Sequence, residues 1–133
     1  MKLIIDTNIL FSFFWHDSLT RKLIKNSQFE LLSPSFALNE ISKYKKEIMG
    51  RLRIKDKDFS ILLKEMKSYV KFIDLKDYNS FLNEACLLSP DKSDADFLAL
   101  CLKHKCMLWS NDSFLKNQKA VRIISTKDLI YLF

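Results

Sequence analysis

Glycine and proline are scarce in this chain, which has one Gly and two Pro among 133 residues. Flexible linkers and low-complexity tracts are rich in such residues, so their scarcity argues against segments of that kind. The length fits one domain of ordinary size, and no internal repeat or shift in composition marks a boundary. We therefore expect a single domain that spans residues 1–133.

Long hydrophobic runs and paired cysteines are also missing. No apolar stretch approaches the roughly 18 residues of a membrane-spanning helix, and the N-terminus lacks the features of a signal peptide. The three cysteines, Cys86, Cys101 and Cys106, form no C-x-x-C motif, so we interpret them as buried thiols. These absences predict a soluble, cytoplasmic protein with no membrane contact.

Positive charge is in excess, because the formal net charge is +6. A basic surface attracts polyanions such as nucleic acids, although many lysine-rich proteins bind none. The densest basic stretch lies at 43–57, and its alternative interpretation is a solvated helix surface. Trp15 and Tyr44 would either stack on bases or, as we favour, pack in the core. The candidate nucleic-acid-binding residues are Lys43, Lys45, Lys46, Arg51 and Arg53.

Short apolar runs alternate with helical patterns, which predicts an α/β fold with a parallel sheet and helices on both faces. Ser33 and Pro34 form a helix start signal, and Gly50 is expected to end that helix. The predicted strands are 2–5, 29–32, 70–74, 107–109 and 121–124. The predicted helices are 8–15 and 18–26 (one helix or a broken pair), 34–48, 56–69, 77–88, 94–104, 113–118 and 126–132.

Four acidic residues are candidates for one site. Asp6 and Asp112 each follow a predicted strand, so both should lie at the carboxyl edge of the sheet, where α/β proteins build their sites. Glu40 flanks the apolar stripe of its helix, and Asp94 begins a helix apolar enough to be buried. A cluster of carboxylates can bind Mg²⁺ or Mn²⁺, because these cations prefer oxygen ligands. The positive charge of the cation also relieves the repulsion between the carboxylates. Such a cation can activate water against a phosphodiester.

Each acid also has a structural interpretation. Asp6 and Asp112 could cap the helices that follow them, Asp94 could offset a helix N-terminus, and Glu40 could be solvated. Asp96 fits a capping box that begins at Ser93 better than it fits a metal site. Asp91 is either a loop residue or an outer partner of the site. The isolated histidines, His16 and His104, are not assigned to catalysis.

In the identity and order of these residues, the chain resembles a PIN domain, the nuclease fold of VapC-type toxins. The resemblance rests on the sequence Leu-Ile-Ile-Asp-Thr-Asn-Ile-Leu at 3–10, Asn-Glu-Ile at 39–41, Asp-Ala-Asp-Phe-Leu-Ala-Leu-Cys at 94–101 and Leu-Trp-Ser-Asn-Asp at 108–112. It implies a three-layer α/β/α domain with a five-stranded parallel sheet. It also implies a Mg²⁺ or Mn²⁺ site and cleavage of single-stranded or structured RNA.

The resemblance further implies roles for individual residues. Asp6, Asp94 and Asp112 match the nearest metal ligands, and Glu40 would bind metal through water or help to activate the attacking water. The choice between Asp94 and Asp96 stays open, because many relatives have no acid at the second position. The polar positions that would orient the carboxylates are Thr7, Asn8, Ser110 and Asn111.

Partners follow from the same resemblance. Toxins of this family are usually held by an antitoxin that lays a segment into an apolar groove, and homodimers are common among them. The family also contains inactive members, so the alternative function is a catalytically inactive module that binds RNA or protein.

Overall fold

Five parallel strands form the centre of the protein, whose computed structural model describes residues 1–15, 18–89 and 91–133. They are β1 (Lys2–Ile5), β2 (Glu30–Pro34), β3 (Val70–Ile73), β4 (Met107–Trp109) and β5 (Ile123–Ile124). Their order across the sheet is β3-β2-β1-β4-β5, and each neighbouring pair runs parallel. At the centre of the sheet, Ile4 pairs with Leu32 on one side and with Leu108 on the other.

Helices complete a three-layer α/β/α arrangement, as the sequence predicts. They are α1 (Thr7–Ser12), α2 (Leu19–Ile24), α3 (Phe36–Lys43), α4 (Lys45–Leu52), α5 (Asp56–Tyr69), α6 (Leu82–Leu88), α7 (Ala95–His104) and α8 (Thr126–Leu132). The central helix α7 packs against β1, β2 and β4. Within the described ranges, no helix has the length and apolarity needed to cross a bilayer.

The two central strands are anchored by apolar burial. Ile4 and Ile5 of β1 and Leu108 and Trp109 of β4 are completely inaccessible to solvent. Burying one large apolar side chain stabilises a fold by about 1.5–3 kcal/mol. The buried ends of β1 and β4 are therefore stably positioned, and so are the starting points of the polar segments that follow them.

The chain changes direction between β3 and β4. It runs outward from β1 through β2 to β3 and then crosses to β4, on the other side of β1. The carboxyl ends of β1 and β4 therefore border a crevice, and crevices at such switch points are the usual binding sites of open α/β sheets. Asp6 follows β1 directly, and residues 110–112 follow β4.

The helix start predicted at Ser33 and Pro34 is wrong, because both residues belong to β2. They pair with Phe72 and Ile73 of β3. The buried Ser33 hydroxyl also donates a hydrogen bond of 2.9 Å to the carbonyl oxygen of Ile5. Sheet pairing with β3 and the side-chain hydrogen bond to β1 outweigh the local capping signal, so α3 begins only at Phe36.

The single helix predicted at 34–48 is instead two helices, α3 and α4, which meet at Tyr44. This break turns Tyr44 outward, so its predicted place in the core is wrong and 48% of its surface is exposed. Gly50 does not end the helix. Although Gly costs about 1 kcal/mol within a helix, α4 continues to Leu52, and the left-handed Arg53 (φ 56°) follows it.

Other boundaries differ by smaller amounts. The predicted helix 77–88 is α-helical only over α6, preceded by 3₁₀ turns at Leu75–Asp77 and Asn79–Phe81. The predicted helix 113–118 is a 3₁₀ turn at Ser113–Asn117, and the predicted strand 121–124 shortens to β5. Cys101 is buried as expected, but Cys86 is exposed. His16 lies outside the described residues.

Candidate active site

Four acidic side chains from separate parts of the chain line one cavity of about 120 Å³. The cavity opens at the carboxyl edge of the sheet, in the crevice bordered by β1 and β4. Thr7, Asn8, Ser93 and Phe97 complete its wall. The structure thus brings together the four acids that the sequence selects, which are Asp6, Glu40, Asp94 and Asp112.

Asp6 is fixed in the cavity wall by its backbone and side-chain hydrogen bonds. Its backbone N–H donates to the carbonyl oxygen of Trp109 at 3.2 Å, and its carboxylate accepts from the N–H of Ile9 at 2.9 Å, which caps α1. Burial raises its pKa to about 6. Hydrogen bonds from Ser110 and Ile9 oppose this rise, whereas the charges of Asp112 and Asp94 add to it. Asp6 therefore serves as a cap and also faces its acidic neighbours.

Glu40 is held in place by Thr7. The buried Thr7 hydroxyl donates a hydrogen bond of 2.7 Å to Oε1 of Glu40. Thr7 is the first residue of α1, and Glu40 lies on α3, which packs against α1. Because one carboxylate oxygen is engaged by Thr7, the orientation of Glu40 in the cavity wall is restricted.

Asp94 lines the cavity, whereas Asp96 has another partner. Burial raises the pKa of Asp94, and the charge of Asp91 raises it further. A hydrogen bond of 3.2 Å from the Ser89 hydroxyl opposes the shift, while Asp112 and Glu40 add to it. The pKa of this carboxylate is therefore raised mainly by burial, with a smaller contribution from neighbouring acids.

Asp96 accepts a hydrogen bond from the hydroxyl of Tyr78. Tyr78 is buried, and a buried tyrosine hydroxyl requires an acceptor. The capping box predicted for Ser93 and Asp96 is therefore wrong. Ser93 instead donates through its N–H (2.9 Å) and its hydroxyl (2.7 Å) to Asp91. Asp91 thus shapes the loop that presents Asp94.

Ser110 connects the acids that follow β1 and β4. It is buried, its hydroxyl oxygen accepts from the N–H of Asp112 at 3.1 Å, and it hydrogen-bonds to the carboxylate of Asp6. Asp112 in turn accepts from the N–H of Phe114 at 3.0 Å and so begins a 3₁₀ turn. Ser110 therefore interacts with the carboxylate of Asp6 and with the backbone, not the carboxylate, of Asp112.

Asn111 has a different role from the one predicted. Its side-chain amide donates to the hydroxyl of Thr126 at 3.1 Å, and its side-chain oxygen accepts from the Thr126 N–H at 2.8 Å. Trp109 donates to the same hydroxyl at 3.0 Å. Asn111 therefore joins the loop after β4 to the start of α8 and does not orient a carboxylate.

The carboxylate oxygens that line the cavity are suitable ligands for a hard cation that keeps part of its hydration shell. Four carboxylates share the cavity, and like-charge repulsion contributes to the raised pKa values of Asp6 and Asp94. Among the described residues, however, no three histidine, cysteine or acidic side chains are gathered tightly enough to enclose an ion as they stand. Mg²⁺ usually keeps several waters and binds through one or two carboxylates, so it does not require such a cage.

Most of the predicted nucleic-acid-binding residues lie on α3 and α4, close to Glu40 in the chain. Lys45 forms an ion pair with Asp56, which ties it to α5. Arg51 places its guanidinium 4.8 Å from the centre of the Trp15 ring. The remaining three are exposed to solvent, and they are Lys43, Lys46 and Arg53.

Comparison with known proteins identifies the family. A family model described as a PIN domain matches residues 4–127, a range that includes all four acids of the cavity. No curated protein matches the chain. A chain in the crystal structure of VapBC2 from Rickettsia felis, bound to a DNA fragment from their promoter, has the same fold. Its TM-score is 0.64 at 17% identity, over 94% of this chain and 98% of that one. This chain therefore belongs to the PIN domain family.

Proposed function

We propose that this protein is an endoribonuclease that hydrolyses RNA phosphodiesters and depends on Mg²⁺ or Mn²⁺. The observation that carries the proposal is the convergence of four carboxylates on one cavity, in a chain whose net charge is +6. PIN domains are generally nucleases and generally use divalent metal ions. An acidic cavity within a basic chain suits a cation in the cavity and a polyanion across its mouth.

The position of each acidic residue in the cavity suggests its role in the reaction. Asp6, Asp94 and Asp112 would hold the cation, and Ser110 would orient the Asp6 carboxylate while it holds the backbone of Asp112. Glu40, with one oxygen held by Thr7, would hold the cation through water or accept a proton from the attacking water. When bound, the cation supplies Lewis-acid chemistry that polarises the phosphate and offsets its developing charge.

The basic residues would guide RNA to the cavity. The exposed Lys43 ends α3, the helix that carries Glu40, whereas the exposed Lys46 lies on α4 and Arg53 directly follows it. Phosphate contacts from such residues strengthen binding without regard to sequence and weaken as the salt concentration rises. Lys45 is expected to contribute less, because its charge is already paired with Asp56.

We further propose that the protein is the toxin of a toxin–antitoxin pair, forms a homodimer and acts in the cytoplasm. The support is the fold shared with a chain of the VapBC2 complex. Expression of the wild-type chain alone should arrest bacterial growth, whereas the chain carrying Asp6→Asn should not. Equal growth of the two strains would count against the toxin role.

The test of the nuclease proposal is cleavage of a labelled single-stranded RNA. Cleavage should require Mg²⁺ or Mn²⁺, stop on addition of EDTA and resume when the cation is restored. Because water is the attacking group, the products should carry no 2′,3′-cyclic phosphate, which distinguishes this activity from a contaminating metal-independent ribonuclease. Cleavage that persists in EDTA, or no cleavage with either cation, would sink the proposal.

Asp94, just before α7, and Asp96, in its first turn, should behave differently when each is changed to Asn. Asp94→Asn should reduce cleavage by more than about 100-fold, since even indirect partners of metal ligands matter by 10–100-fold. Asp96→Asn should leave the cleavage rate within a few-fold, because Asp96 faces Tyr78. Initial rates at saturating Mn²⁺ would measure both, and the reverse order would mean that the wrong acid has been assigned to the cavity.

A further inference from the structure

A second cavity, of about 300 Å³, adjoins the acidic one. The two cavities share Thr7, Asn8 and Glu40 as a common wall. The volume is at the lower end of the range for small-ligand pockets, about 300–1,000 Å³. We call it the aromatic groove, and the rest of its lining is Phe11, Trp15, Tyr44, Glu47, Ile48 and Arg51.

The aromatic side chains of the groove contact neighbouring side chains but are not fully covered. Tyr44, at the junction of α3 and α4, exposes 48% of its surface. Its ring meets the Phe11 ring edge-on, with the centroids 5.5 Å apart. Trp15 is partly exposed and carries the Arg51 guanidinium 4.8 Å from its ring centre. The buried Ile48 also lines the groove.

We infer that the aromatic groove binds one unpaired nucleobase of the RNA strand whose phosphate lies at the acidic cavity. The inference rests on the proposed nuclease function and adds a binding site to it. A base and its own phosphate are covalently joined, so a base pocket must adjoin the phosphate site, and the shared wall satisfies this condition. Paired bases are stacked within a duplex, so only single-stranded RNA can place a base here.

The groove lining carries two acids, Glu40 and Glu47, and one cation, Arg51, whereas exposed basic residues close to it in the chain favour nucleic acid as its occupant. Lys43, Lys46 and Arg53 flank Tyr44 and Arg51 in the chain and are exposed. Exposed aromatic rings beside basic residues form the usual platform for single strands, where each base stacks on a ring and the phosphates meet the cations. Tyr44 is the ring best placed to stack, because nearly half of its surface is open to solvent.

Binding can be measured without catalysis in the chain that carries Asp6→Asn. The probe is a 5′-phosphorylated single-stranded RNA tetranucleotide, and the signal is tryptophan fluorescence. Of the two tryptophans, Trp15 lines the groove and Trp109 is fully buried, so an RNA base in the groove can contact only Trp15. The single strand should alter the fluorescence, and a blunt duplex of the same sequence should not. Adding Tyr44→Leu should weaken binding roughly five- to fiftyfold, and Tyr44→Phe should retain it.

The matched control is Tyr131→Leu, which removes a ring that is 91% exposed on α8. It should leave binding unchanged. In chains that retain Asp6, Tyr44→Leu should raise KM for single-stranded RNA more than it lowers kcat. Thermal melts of all variants would confirm that they fold.

Failure of this inference is distinguishable from failure of the nuclease proposal. If cleavage requires Asp6 but Tyr44→Leu changes neither the fluorescence response nor KM, the base pocket is overturned and the nuclease proposal stands. That is also the result expected if the groove receives a protein segment. If Asp6→Asn cleaves as well as the wild type, the nuclease proposal fails, and the fluorescence titration still decides the base pocket.

Discussion

Replacing Asp6 with Asn should abolish RNA cleavage and yet stabilise the cation-free protein at neutral pH. Burial raises the pKa of Asp6 from 3.8 to about 6, so its charged form is disfavoured in the folded state. The uncharged Asn removes this cost and can still cap α1. From the size of this pKa shift, the Asn variant should be more stable than the wild type by on the order of 1–3 kcal/mol above pH 6.

The sign of the pH dependence follows from proton binding. Between pH 3.8 and about 6 the folded state holds a proton on Asp6 that the unfolded state has released. The wild type therefore loses stability as the pH rises through this window, and the advantage of Asn vanishes below about pH 4. Urea unfolding at several pH values, without divalent cations, would measure the difference.

The loss of cleavage should exceed about 100-fold, because one of the four carboxylates that line the cavity is removed. The matched control is Asp77→Asn, which makes the same chemical change at an exposed aspartate in a 3₁₀ turn outside the cavity. It should alter neither cleavage nor stability appreciably. A variant with Asp6→Asn that is less stable than the wild type at neutral pH would show that burial does not disfavour the charged form of Asp6.

Affinity for Mn²⁺ should fall steeply as the pH drops below about 6. A carboxylate must be ionised to bind the cation, so protons compete with Mn²⁺ at Asp6. Once Asp6 is mostly protonated, each further drop of one pH unit should weaken Mn²⁺ binding by up to about tenfold. At neutral pH, Mn²⁺ should raise the melting temperature of the wild type, since a ligand of the folded state stabilises it.

Isothermal titration calorimetry near neutral pH and near pH 5 would measure this dependence. Asp77→Asn should behave as the wild type, whereas Asp6→Asn should bind Mn²⁺ weakly at both values. Proton release on binding, detected by comparing buffers of different ionisation enthalpy, should appear only near pH 5. An affinity that is equal at the two pH values would place the cation away from Asp6.

The convergence of the acids was predictable from the sequence because parallel strands share one carboxyl edge. Asp6 and Asp112 both follow buried apolar runs, so their meeting depends only on two strands lying in the same sheet. Glu40 and Asp94 were harder to place. Their positions depend on how α3 and α7 pack, and the apolar faces of those helices were the only guide.

Features that depend on long-range pairing were not predictable. Ser33 carries a local capping signal, yet β2 extends through it because β1 and β3 supply partners. Asp96 fits a capping box by its spacing from Ser93, but Tyr78, 18 residues earlier, provides a buried hydroxyl that needs an acceptor. Local patterns cannot show which distant group will take the same hydrogen bond.

The central claim is that four carboxylates distant in the chain act on one divalent cation. The most direct measurement is a crystal structure of the wild type grown with Mn²⁺, in which anomalous scattering locates the ion. The account predicts an Mn²⁺ peak inside the cavity, contacted by Asp6 and at least one of Asp94 and Asp112, directly or through water. A peak elsewhere, or an acidic cavity without Mn²⁺ at saturating concentration, would contradict it.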